Sequence, residues 1–337
     1  MQHRFLIPAV GLFAALSFGP VQAAAQTLLA AEKKPAATDT PSDKTWSKRT
    51  PDGQPDIQGI WSNATITPFE RPVALGNKAF LTEEEAAKAE QRAAQNRLDH
   101  APRPGEVGDY NALWIDSGTR VVKTHQTSLV VDPEDGRVPL TPGAEAKRDF
   151  NHAHESDSYV YMSVWDRCIT RGVPAGMFPA GYNNAYQIIQ TPGQVVIVSE
   201  MIHDVRVIPI DGSPHPPANV RMWDGDSRGH WEGNTLVVDT TNYNDKGWIA
   251  TSAATGRVKG IMQTEATHVV ERFRRTDADT LSYEVTVEDP NMYTRPWKVA
   301  IPFWRDDSYR MYEYACHEGN EAPELVLRGG RSRDESK

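Results

Sequence analysis

Glu200, His203, Asp204 and Arg206 crowd the end of an apolar run that closes at Met201. A carboxylate and an imidazole can serve as general acid and base, and a nearby guanidinium can hold a carboxylate or a developing oxyanion. Residues three apart on a regular strand face opposite ways. Glu200 and His203 therefore need a turn or bulge at Ile202 to work together. The competing reading is a hairpin end with solvated charges. Tyr182, Asn183 and Asn184 add hydroxyl and amide groups just upstream. They suit a polar ligand, although Asn also simply favours turns.

A second cluster, Asp226-Ser227-Arg228-Gly229-His230, follows Trp223-Asp224-Gly225. Asp226 and Arg228 can pair, and the flanking glycines let the backbone turn tightly. Such a loop could clamp an anionic or polyol ligand, or be an ordinary salt-bridged loop. Gly225 to Gly229 also spells Gly-x-Ser-x-Gly, but a hydrolase elbow needs a strand before the Ser and a helix after it. Here a Trp-Asp loop precedes, and the Glu232-Gly233-Asn234 turn follows. Further on, His268 and Arg272 share one strand face and would enter a polar barrel interior, or else sit on a rim. Tyr312, Tyr314 and Cys316 share another face and would line a pocket or simply fill the core.

These residues define the expected site. His203, Glu200, Asp226 and Arg228 are the candidate acid–base and anion-stabilising groups, and Tyr182, Asn184, Arg206, His268 and Tyr314 the candidate ligand contacts. No metal is expected: the ten His include His152 and His154, but no His-Glu-x-x-His, Cys-x-x-Cys or EF-hand pattern occurs. The Rossmann and phosphate-loop glycine patterns are missing too, so no cofactor is expected.

The chain opens as a secretion signal would. Arg4 precedes an apolar run from Phe5 to Phe18, and small residues follow around Ala23. That run is too short for a stable membrane span. Residues 1–25 are predicted to be a signal peptide and 26–47 a disordered linker rich in Ala, Lys, Thr and Pro. A periplasmic or secreted address follows. In such an oxidising compartment Cys168 and Cys316 are expected to form one disulfide, with a catalytic thiol as the other reading. A net charge of -9 disfavours nucleic acid, and no basic amphipathic segment points to a membrane surface. The expected partner is a small molecule.

Residues 48–330 form one predicted domain, with 331–337 as a flexible tail. Thr82 to Leu98 is the one clear helix, capped by Thr82 and Glu85 in a capping box. His100 to Gly108 is a loop, Thr127 to Leu140 a hairpin turning at Asp135-Gly136, and Ala144 to His154 a short helix. Strands are then predicted near Tyr186–Gln190, Val195–Met201, Val205–Ile210, Leu236–Asp239, Thr267–Arg274, Thr280–Val287, Trp297–Phe303 and Arg310–Tyr314. Leu281, Tyr283, Val285 and Val287 alternate with polar residues, the pattern of a half-buried strand. Short connections imply antiparallel neighbours. The fold class is mainly β: an antiparallel barrel with one N-terminal surface helix and long loops, with a β-sandwich as runner-up.

Two resemblances add to this. Gly59-Ile60-Trp61 resembles the opening strand of lipocalin-like barrels, whose Trp plugs one end. The runs WDGDSRGHWEGNTLVVDTTNYNDKGW, HVVERFRRTDADTLSYEVTVEDP, RPWKVAIPF and YEYACHEGN resemble those of a large group of exported bacterial proteins of unassigned function, over about Pro51 to Arg328. That implies a single exported, barrel-like domain and brings no catalytic residue. The expected function is a cofactor-independent hydrolase or lyase using His and Glu as acid–base groups. The alternative is a lipocalin-like small-molecule carrier.

Overall fold

Side chains of an extended chain point alternately to opposite faces, and the second half of this protein follows that rule closely. In a computed structural model, which describes residues 46–96 and 115–335, ten strands form one sheet. They are β1 (Gly59–Ser62), β2 (Val130–Asp132), β3 (Ala185–Thr191), β4 (Gln194–Ser199), β5 (Val205–Pro209), β6 (Asp226–Glu232), β7 (Thr235–Thr241), β8 (His268–Arg275), β9 (Thr280–Glu288) and β10 (Trp297–Arg305). Their order is β5-β4-β3-β1-β10-β9-β8-β7-β6, with β2 pairing onto β10 beside that path. Every ladder is antiparallel. The result is the expected barrel, nearly closed on itself through nine strands.

The strand count has a consequence for closure. Directions alternate along an antiparallel series, so in an odd series the first and last strands run the same way. β5 and β6 are therefore parallel. Parallel neighbours need a long crossover, which residues 210–225 provide. No backbone ladder joins β5 to β6 among the described residues. They meet through side chains instead. A Cβ at Gly229 would lie 2.8 Å from Ile210 Cγ2 and 3.0 Å from Ile208 Cγ2, so only a glycine lets the strands approach there.

Inward-facing residues of β7 to β10, including Leu236, Val238, Val269, Phe273, Tyr283, Val285, Ile301 and Phe303, are buried in one apolar core. At one end Trp61 is fully buried and donates to Ile57 O at 3.0 Å. The Arg275 guanidinium lies 5.0 Å from the Trp61 ring and 3.7 Å from that of Trp46, which closes this end with cation–π contacts. At the other end the segment from Met162 to Asn184 folds inward, and Phe178 packs edge-on to Phe69 at 4.8 Å.

A buried ion pair sits in this core. Glu271 on β8 is fully buried and paired with Arg206 on β5. Tyr283 donates to Glu271 Oε1 at 3.0 Å, and Arg206 also donates to Ser227 Oγ at 3.0 Å and Thr240 Oγ1 at 3.1 Å. Arg206 thereby bonds to β6, β7 and β8 from β5, across the gap that no ladder spans.

Three helices accompany the barrel: α1 (Glu83–Asn96), α2 (Pro142–Ala153) and α3 (Ala322–Glu335). The capping box of α1 is present, with Thr82 N donating to Glu85 Oε2 at 2.8 Å and Glu85 N to Thr82 Oγ1 at 3.2 Å. Several sequence expectations are corrected. Arg310–Tyr314 is not a strand, because β10 already pairs with β9, β1 and β2. The turn at Asp135-Gly136 exists, with Gly136 N donating to Pro133 O at 2.9 Å, but it does not join a hairpin, since β2 pairs with β10 instead. Residues 331–335, expected as flexible tail, continue α3. The signal peptide at 1–25, nearly all of the 26–47 linker and the His100–Gly108 loop lie outside the described residues.

Removing one member of a buried ion pair strands the other's charge and costs about 3–5 kcal/mol, whereas replacing both by apolar groups costs far less. Urea unfolding of Glu271→Ala should show a loss of that size. The double change Arg206→Met with Glu271→Leu should recover much of it.

Candidate functional site

The gap at the β5–β6 seam widens into a cleft of about 350 Å³. Its floor is Arg206 and Ser227, and its walls include Thr170, Val205, Val207, Met222, Asp204 and Asp224. Two strained places in the chain present the acids. Asp204 follows a turn in which Ile202 has φ 63° and His203 φ 48°. A β-branched residue is rarely found there, and such strain concentrates at functional sites. Asp224 precedes Gly225, whose φ is 67° and where a Cβ would lie 2.5 Å from Thr241 O. Glycine is required at that position.

The turn at Ile202 is the one needed to join Glu200 to His203, yet the structure separates their side chains. Glu200 is buried and accepts from Tyr309 OH at 2.9 Å and Tyr312 N at 2.9 Å. The exposed His203 ring is 2.6 Å from Tyr314 O through Nδ1. These contacts hold the turn, with Ile202 packed among Trp165, Tyr182 and Tyr314. What the turn delivers to the cleft is Asp204.

Thr170 joins the two acids. Its Oγ1 is 2.9 Å from Asp204 Oδ2 and 2.8 Å from Asp224 Oδ1, and it accepts from Gly172 N at 2.9 Å. A hydroxyl has a single proton to donate. It can serve one carboxylate, so the second contact requires a proton on the other acid. Asp204 also accepts from Arg171 N at 3.1 Å, which favours its ionised form. The shared proton therefore belongs on Asp224, which donates to Thr170, which in turn donates to Asp204. In accord with this, burial first and the neighbouring Asp204 charge second push the Asp224 carboxyl up to about 6. Burial also raises Asp204, against the bonds from Arg171 and Thr170. Arg206 also lines the cleft, and its Nη1 is buried and has no hydrogen-bond partner among the described residues, which leaves it a spare donor.

The other expected site residues fall elsewhere. Asp226 lines the cleft rim, and both Arg228 and His215 bind its carboxylate, at 2.7 Å each. Ser227 is no elbow, because it lies within β6 and faces Arg206. His268 and Arg272 point out of the barrel, since Val269, Glu271 and Phe273 hold the inner face of β8. His268 Nε2 is 2.8 Å from Asp239, and this bond raises its imidazole against the effect of burial. Asn184 is buried, donating to Ala180 O and Asp116 O and accepting from Ala180 N. Tyr182 stacks on Tyr314 with centroids 6.5 Å apart. Of the expected set, only Arg206 and Asp226 reach the cleft. Cys168 and Cys316 do form the disulfide, with Cα atoms 5.6 Å apart.

Sequence reasoning did not count Thr170 or Asp224 among the site residues; they lie 34 and 20 positions from Asp204, and no motif links the three. A second groove of about 470 Å³ beside Trp304 is larger, and two of the three cations that line it are committed. Lys123 donates to Thr280 Oγ1 at 2.7 Å, and Arg305 to Asp307 at 2.6 Å. Among the described residues no cluster of three or more His, Cys, Asp or Glu is arranged to hold a metal ion, and no helix is long and apolar enough to cross a membrane. No family model and no curated protein matches the chain.

The sign of the Asp224 linkage follows from its direction. Its folded value lies above the ordinary one near 4. The stability it contributes is complete below about pH 4 and lost as pH rises through about 6. Carboxyl ¹³C NMR should find a midpoint near 6 that falls in Asp204→Asn, where the neighbouring charge is gone. Asp224→Asn should flatten the stability profile between about pH 4 and 7.

Proposed function

We propose that the protein is an exported acid–base enzyme, a hydrolase or lyase acting on a small polar substrate in the seam cleft. The observation that carries it is the Thr170-bridged Asp204–Asp224 pair holding one proton above a spare Arg206 N–H. Two carboxyls whose surroundings push their proton affinities apart supply an acid and a base from the same residue type. Asp224 is the general acid, giving its proton to a leaving group or a carbonyl oxygen. Asp204, ionised, is the general base and takes the proton of the attacking water in a hydrolase, or of the carbon next to the leaving group in a lyase. Arg206 Nη1 receives the substrate oxygen on which negative charge gathers. The reaction type matches the sequence expectation; the acid–base groups are Asp224 and Asp204 in place of Glu200 and His203.

A carrier of the lipocalin type needs a largely apolar cavity. Trp61, Tyr186, Phe273, Tyr283 and Phe303 fill the barrel interior instead, which weighs against that alternative. Export and kinship with the exported bacterial group belong to the same proposal. The formed disulfide supports an oxidising compartment.

The test is a panel of esters, lactones, glycosides and β-substituted carbonyl compounds assayed from pH 5 to 8. Turnover should fall as pH rises through about 6, where Asp224 gives up its proton. Asp224→Asn and Asp204→Asn should each lose about 10²- to 10⁴-fold in rate. Full turnover by Asp224→Asn, or none by the wild type anywhere on the panel, would overturn the assignment.

A further inference from the structure

The crossover from β5 to β6 carries Met222 and Asp224 to the cleft, and its backbone is tied to the wall at Met222, whose N donates to Asn242 O and whose O accepts from Asn244 N, each at 2.9 Å. It contains Pro214, Pro216 and Pro217, which offer no N–H donors and stiffen the chain. Side chains pin it to the outer barrel wall. Asn242 Nδ2 donates to Pro217 O at 3.1 Å and Val220 O at 2.9 Å, and Arg228 Nη1 donates to Ser213 Oγ at 2.6 Å.

At the centre of the crossover His215 spans two strands. Its Nδ1 is 2.7 Å from Asp226 Oδ2 on β6, and its Nε2 is 3.0 Å from Asp239 Oδ1 on β7. Both carboxylates are also bound by other basic side chains. Arg228 grips Asp226 with two N–H groups at 2.7 and 3.0 Å, and His268 Nε2 lies 2.8 Å from Asp239 Oδ2. Each ring nitrogen of His215 thus faces a carboxylate, and a ring that donates to both carries two N–H groups. The charges facing this ring are Asp226 and Arg228 from β6, Asp239 from β7 and His268 from β8. Glu288 of β9 stands 3.8 Å behind His268, and Asp211 lies at the start of the crossover itself.

We propose that His215 is the positioning residue of the cleft: its doubly protonated ring clamps the crossover to β6 and β7 and so fixes where Asp224 stands beside Thr170. The proposal rests on the cleft being the functional site. A neutral ring keeps one bond and turns a lone pair toward the other carboxylate.

The experiment compares the full-length wild type with His215→Ala and His215→Gln by amide hydrogen exchange and by carboxyl ¹³C NMR of Asp224. In His215→Ala, exchange across residues 213–225 should rise about 10-fold or more as the segment opens locally. The Asp224 midpoint should fall from about 6 toward the ordinary carboxylate value. His215→Gln, which can donate only to one carboxylate, should fall between the two. Unchanged exchange and an unchanged midpoint in folded His215→Ala overturn the proposal. If neither variant folds, Asp239→Asn, which removes one of the two carboxylates the ring faces, takes their place: faster exchange across 213–225 supports the clamp, and unchanged exchange refutes it. Neither readout uses turnover. Failure of the acid–base reading would show in the Asp224→Asn assay and leave these measurements intact.

Discussion

Arg206 occupies the position on which the barrel depends. Eight antiparallel ladders close all but one junction, and at the last one two parallel strands meet with no backbone bonds between them. Hydrophobic contact at Gly229 brings the strands together at one height, but it has no directionality. The guanidinium supplies direction: from β5 it reaches Ser227, Thr240 and Glu271 on three successive strands. Burying that charge carries a large desolvation cost, which only a well-bonded partner offsets. Glu271 is that partner, and Tyr283 satisfies its second oxygen. The seam opens above Arg206 because the side-chain bonds hold only its lower part, and the cleft is the space left over.

Around that space, separate constraints converge on one pair of acids. The disulfide links Cys168, two residues before Thr170, to Cys316, two residues after Tyr314. Tyr314 O receives the His203 ring, so a single covalent tie steadies both Thr170 and the strained turn that presents Asp204. Glu200 contributes by gripping the Tyr309–Tyr312 segment from inside. A buried carboxylate that accepts several hydrogen bonds is spent on structure. Asp224 is half-buried and short of donors, which is the condition under which a carboxyl keeps its proton.

Much of the fold was legible, and the reasons are local. The alternation from Leu281 to Val287 requires a half-buried strand, and β9 is one. The Thr82–Glu85 box marks a helix start, and two cysteines leave a single possible pairing. The turn at Ile202, on which a joint role for Glu200 and His203 was conditional, is there, but it separates their side chains. Non-local facts were not legible. Arg310–Tyr314 has strand-like residues but no free edge to join, which no periodicity reveals. α3 was missed because Gly329 and Gly330 lie within it, and glycine is a poor helix former. The cleft was legible only in part: Arg206 and Asp226 were singled out, while Thr170, Asp224 and His215 gain their roles from a parallel seam that exists only once nine strands have been counted and ordered.

The chemistry of the cleft and the chemistry of the wall respond to pH in the same direction. Asp224 is an acid only while it keeps a proton that it loses near pH 6. The crossover is held to Asp226 and Asp239 through the two ring nitrogens of His215. His268, which also binds Asp239, is raised by that bond, so its contribution is complete below the ordinary histidine value and lost only as pH climbs past the raised one. Acid thus loads the proton on Asp224 and stabilises the wall to which the crossover is tied. Alkali would undo both, and the parts are coupled through one short stretch of chain from His215 to Asp226. A surface salt-bridge cluster with no bearing on the cleft would have no reason to share that stretch with Asp224.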